Sequence, residues 1–222
     1  MKLFFLIALI SLTSLAPAPA QDAELTVVKG QLTFDAEGND DSSSPYYSRT
    51  PHVPSGSSGL TIGRGYDLKE RAKAAVINDL KSAGLAEDAA KAYAGAVGKK
   101  GDDAKKYIKD NKAKLKDISK AAQKKLFEAT YEEIAKDVKR ICEKADVVQA
   151  YGKTEWAQLS PKIKDVLVDL RFRGDYTPSS RRLIQKYVAS NDLAKFKIEI
   201  QKKANWANVP EDRFKRRSKY LD

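Results

Sequence analysis

The chain has 222 residues, 41 Lys and Arg against 30 Asp and Glu, a formal net charge of +11, and one cysteine and one histidine. That length allows one well-buried domain or at most two small ones, and the positive field favours acidic polymers without choosing among nucleic acid, anionic lipid and bacterial wall. With only Cys142 and His52, an internal disulfide and the usual one-chain zinc sets are excluded, so stability must come from core packing and no metal is expected.

Residues 1–20 read as a secretory signal: Lys2, an apolar run over 3–15, and the small-residue ending Ala18-Pro19-Ala20, with cleavage before Gln21. The apolar run falls short of the roughly 18 residues needed to span a bilayer, and no later stretch approaches that length. The expectation is a secreted protein, extracellular or periplasmic, with 21–222 as a single domain acting as a monomer without a membrane span.

Val28, Leu32 and Ala36 lie four apart and predict a short helix over 26–36, weakened by Gly30 and ended by a left-handed Gly38. Residues 39–59, rich in Ser, Pro, Gly and Asp, predict loops and short strands, and 60–66 predicts a strand whose glycines permit close approach. Helices are expected from Asp67 onward. Ala72, Val76 and Leu80 mark one, residues 86–97 a second, and after a break at 98–101 others cover 102–115 and 119–143. Ile163, Val166, Leu167 and Leu170 fall at i, i+3, i+4 and i+7, the best core candidate in the chain. Leu183 to Val188 and Leu193 to Ile200 continue the pattern. A last helix is expected near Pro210, capped by Asn208, with Phe214 on its inner face. The fold class is therefore α+β and predominantly helical, with a small strand-containing lobe near 39–66 and a helical lobe from about 67 that also takes in the N-terminal helix.

The chemistry concentrates in Phe34-Asp35-Ala36-Glu37-Gly38-Asn39 and Ser58-Gly59-Leu60-Thr61-Ile62-Gly63-Arg64-Gly65-Tyr66-Asp67. An acid at a helix end followed by a Thr-Ile-Gly-x-Gly strand resembles the phage-type lysozymes, and more closely their pesticin-like muramidase branch. The phage-type pattern places an Asp six residues before the Thr, where this chain has Ser55. The pesticin-like pattern puts the second carboxylate six residues after it, where Asp67 stands. Residues 117–127 and the segment Asn205-Trp206-Ala207-Asn208-Val209-Pro210 with Arg213, Arg216 and Arg217 extend the resemblance over most of the chain. It implies a two-lobed lysozyme-like fold and a cofactor-free, antibacterial muramidase. Such an enzyme hydrolyses the β-1,4 bond between N-acetylmuramic acid and N-acetylglucosamine in bacterial peptidoglycan, with anionic wall polymers as further partners.

Glycoside cleavage needs a protonated acid beside the leaving oxygen and an ionised group for the water or sugar. Glu37, near a helix C-terminus, suits the first task because the negative end of the dipole disfavours a second negative charge. Asp67, read as opening the next helix through the capping box Asp67-Leu68-Lys69-Glu70, suits the second. Thr61 offers a hydroxyl that both donates and accepts, as holding a water on the opposite face requires. Inversion by this set requires a carboxyl separation above about 6.5 Å. Gly63, Gly65, Tyr66 and His52 complete the expected substrate-binding set.

Each residue also has an ordinary reading. Glu37 can be a surface acid, Asp67 only a helix cap, Thr61 a strand former, and His52 a loop residue between prolines. Trp156 and Trp206 read as packing, and Asp40 and Asp41 as a solvated turn. The alternative function is a non-catalytic cationic wall-binding or antimicrobial protein that keeps the fold. Specific nucleic-acid binding ranks last, since no recognised motif accompanies the charge.

Overall fold

A computed structural model describes residues 25–222, so the expected signal and its cleavage site lie outside the described residues. The chain opens with α1 (Gln31–Ala36), followed by irregular chain to the strands β1 (Thr61–Ile62) and β2 (Tyr66–Asp67). After these come α2 (Lys73–Ser82), α3 (Glu87–Ala94), α4 (Gly101–Asp110), α5 (Lys120–Cys142) and α6 (Ala145–Tyr151). The series ends with α7 (Pro161–Arg173), α8 (Pro178–Ala189), α9 (Leu193–Gln201) and α10 (Glu211–Tyr220). This is a predominantly helical α+β chain with one small antiparallel sheet among the described residues.

The apolar side chains gather into two clusters. The first joins Leu60, Ile62 and Tyr66 of the strand region to Val76, Leu80 and Tyr93 of α2 and α3, and to Ala122 and Leu126 at the start of α5. The second joins Phe34 of α1 to Phe127 and Val138 of α5 and to the inner faces of α7, α8 and α9. Helix α5, about 35 Å long at 1.5 Å per residue, contributes to both. Its start is set by Ser119, whose hydroxyl accepts from Ala122 N at 3.1 Å. The strands thus share their core with α2 and α3, while α1 packs on the C-terminal helices.

Several expectations are corrected by local chemistry. Gly30 does not weaken a helix interior; it is the N-cap of α1, at φ 73°. A Cβ there would lie 2.2 Å from the Tyr131 ring, so the helix starts where only glycine fits. The strand expected over 60–66 is a hairpin, because Gly63 (φ 61°) and Gly65 (φ 91°) reverse the chain around Arg64. Asp67 does not open a helix: it ends β2, and α2 begins at Lys73 after Ala72. Helix α4 stops at Asp110 rather than near 115, where Asn111 turns its side-chain amide onto the Tyr107 carbonyl at 3.0 Å. The final helix is capped by Pro210 and not by Asn208, whose carbonyl accepts from Arg173 at 2.7 Å.

Candidate active site

Glu37 is the C-cap of α1, its N–H bonded to the Thr33 carbonyl at 3.0 Å. Its side chain keeps 21% of its surface exposed, and Oε1 accepts from Arg213 Nη1 at 2.7 Å. Arg213 is committed elsewhere as well, since its Nη2 lies 2.7 Å from Oδ1 of the wholly buried Asp169. Asp169 Oδ2 takes Arg217 Nε at 2.5 Å, and Arg217 Nη1 lies 2.9 Å from Asp175. Burial by itself pulls the Arg213 guanidinium down, but Asp169 and Glu37 outweigh it and hold the group above its ordinary value. The helix end is therefore not the only field on Glu37, which also faces a cation shared with Asp169.

This network was missed in the sequence, although a signal existed. Asp169 interrupts the apolar run Val166-Leu167-Val168-Asp169-Leu170, and an acid on a buried helix needs a cationic partner. Arg213 and Arg217, four apart on α10, supply it.

In the hairpin, Thr61 stands directly opposite Asp67, and Thr61 also exchanges backbone bonds with His52 at 2.8 and 3.0 Å. Directly opposed residues of antiparallel strands project from the same face, so the sheet brings Thr61, Asp67 and His52 together. Thr61, 5% exposed, donates its hydroxyl to the Gly59 carbonyl at a long 3.4 Å. Asp67 Oδ2 accepts from Gly59 N at 3.1 Å and Oδ1 from Lys69 N at 2.8 Å, so its backbone partners belong to turns and not to a helix start. His52 Nδ1 meets the Thr50 carbonyl at 2.9 Å. A carbonyl can only accept, so Nδ1 is the donor in this bond.

Two members of the expected substrate-binding set, Tyr66 and Gly65, are corrected. Tyr66 is fully buried, donates to Asp79 at 2.6 Å and lies under Arg71, so it is a core residue. The space beside Gly65 is filled by Phe172, 2.5 Å from where a Cβ would stand, whereas Ile118 and Gln123 lie at ordinary contact distance from Gly63. Gly65 thus admits the Phe172 ring of α7 against the hairpin.

Between these glycines, Arg64 ties the hairpin to the segment carrying Glu37. Its guanidinium donates to the Phe34 carbonyl at 2.7 Å and to Asp40 at 3.0 Å, and it covers the Phe34 ring at 3.7 Å. Asp40 is not a solvated turn residue: it also binds Arg49 Nε at 2.9 Å and accepts from Gln123 at 3.1 Å. Burial lowers the Arg64 pKa, partly offset by Asp40. Asp41 alone keeps the expected turn role, accepting from Ser43. Trp206 is buried in the second cluster, and Trp156 packs against it.

Among the described residues no hydrogen bond or ion pair joins Glu37 to Thr61 or Asp67; the connection runs through Arg64. Two surface concavities, of about 220 and 530 Å³, are lined by none of these three. No group of three or more His, Cys, Asp or Glu among the described residues is arranged to hold a metal, and no described helix is long and apolar enough to cross a membrane.

No curated protein matches the chain. Residues 30–218, which carry every candidate residue named above, match a family profile described as a domain of unknown function, and the chain accordingly belongs to that family, DUF8812.

Proposed function

We propose that the protein is a secreted muramidase that hydrolyses the β-1,4 glycan bond of bacterial peptidoglycan, with Glu37 as the general acid. The observation that carries this reading is the Arg64 clamp. It holds a hairpin with Thr61 and Asp67 on one face against the chain segment that presents Glu37, which supports a two-lobed lysozyme-like arrangement of acid and water-holding groups. In the proposed reaction Glu37 gives its proton to the leaving oxygen as the glycosidic bond breaks. Arg213, at 2.7 Å, then stabilises the carboxylate that forms. Water held by Thr61 bonds to the anomeric carbon from the opposite face and passes its proton to Asp67. Each Asp67 oxygen accepts one backbone N–H and retains a further lone pair for this contact.

One observation favours a second reading, a cationic wall-binding protein without turnover. Both Asp67 oxygens are engaged by the amides of Gly59 and Lys69, as in a residue that only braces turns. Release of reducing ends from purified peptidoglycan by wild type and Glu37→Gln separates the two. The expected loss is about 10²–10⁴-fold. Equal release by both removes Glu37 from the mechanism, and no release by either favours the binding protein.

A further inference from the structure

The larger concavity, about 530 Å³, lies where Thr50 and Pro51 face the end of α4 and the turns that follow it. Its volume falls in the range of roughly 300–1,000 Å³ typical of small-ligand sites. The lining includes the apolar Pro51, Ile108 and Leu115, with Lys109, Lys112 and Lys116 around them. All three lysines are exposed, and none has an ion-pair partner among the described residues. Their neighbours Lys105 and Lys106, by contrast, are paired with Asp102 and Asp110. Lys109 lies in the last turn of α4, where it complements the helix dipole, but Lys112 and Lys116 lie beyond the helix and have no such role.

The wall of the concavity is braced. Thr50 donates its hydroxyl to Asp117 at 2.8 Å, and Ile118 N bonds the Arg49 carbonyl at 3.1 Å. Pro51 immediately precedes His52, the strand partner of Thr61, so the backbone that walls the concavity continues into the sheet.

We infer that this concavity binds the carboxylate-bearing peptide stem of peptidoglycan, an inference that rests on the muramidase reading for the source of its ligand. Unpaired lysines meet the stem's carboxylates, the apolar floor accepts its alanine methyl groups, and the Asp117 carboxylate at the rim suits an ammonium. The positions divide as complementarity to such a peptide requires. A polyphosphate chain of the wall has the charge but no methyl or ammonium groups for the floor and Asp117.

The test is titration calorimetry of the full chain with a free stem tetrapeptide containing no sugar, beside the same peptide with its carboxylates amidated. The triple variant Lys109→Gln, Lys112→Gln, Lys116→Gln is compared with Lys91→Gln, Lys105→Gln, Lys106→Gln, which removes the same charge from outside the concavity. Expected are roughly tenfold weaker binding in the first variant, little change in the second, and loss on amidation. Equal weakening in both variants, binding of the amidated peptide, or tighter binding of a soluble glycerol-phosphate polymer overturns the inference. Because the probe has no glycosidic bond, absence of reducing-end release by the wild type would sink the enzyme reading and leave this binding result standing.

Discussion

Replacing Asp169 with Ala removes the carboxylate around which Arg213 and Arg217 are arranged, in a position with no exposed surface. Breaking a buried ion pair by deleting one partner costs about 3–5 kcal/mol, because the remaining charge stays desolvated. Here Arg213 keeps Glu37 at 2.7 Å and Arg217 keeps Asp175 at 2.9 Å, which places the loss near 3 kcal/mol. For a chain of this size that lowers the melting temperature by about 6–12 °C. Urea unfolding followed by circular dichroism measures it. The triple change Asp169→Leu, Arg213→Met, Arg217→Met should recover most of the loss, since apolar replacement of a buried charged triad is often neutral or stabilising, Asp175 keeps Arg173 at 2.5 Å and Glu37 stays 21% exposed to water. A single-variant loss under about 1 kcal/mol, or a triple variant less stable than the single, would show that the cluster is not desolvated in the way its geometry indicates.

Gly65→Ala should destabilise by about 1–3 kcal/mol, since it combines φ 91° with a Cβ placed 2.5 Å from Phe172; an unchanged urea midpoint would contradict that packing. Arg64→Met should free the hairpin from the Glu37 segment and lower kcat for glycan release more than it raises KM, a split that a purely stabilising residue would not produce in the remaining folded protein. Acid should weaken the fold. Burial opposes it, but Arg140 and Arg171 hold Asp137 below the usual carboxylate range, and bonds from Lys195 do the same for Asp192. Groups lowered in this way bind fewer protons folded than unfolded. Their contribution is complete above the unfolded values near 4 and drains away as pH falls through the lowered ones. A urea midpoint that stays flat from about pH 5 to about pH 2.5 would refute this.

Much of the helical framework was legible from periodicity. The run through Ile163, Val166, Leu167 and Leu170 marks α7 because a helix buried on one face must repeat near 3.6 residues. The expected helix over 119–143 starts where Ser119 caps α5, since a cap acts locally. Glu37 was correctly placed at the end of a short helix for the same reason. Local chemistry misled where two elements compete for one segment: Asp67-Leu68-Lys69-Glu70 has capping-box spacing, yet pairing with Thr61 claims Asp67 for the sheet.

What the linear order of residues determined by itself is therefore the set of elements whose forces act within one or two turns: the hydrophobic helix faces and some of the helix ends. Tertiary structure alone decided which polar groups meet. Glu37 reaches Arg213 across 176 residues and Gln123 reaches Asp40 across 83. Gly65 meets the Phe172 ring, a neighbour 107 residues away. Burial gives such pairs their energy, and burial is a property of the assembled fold that no short stretch of chain carries.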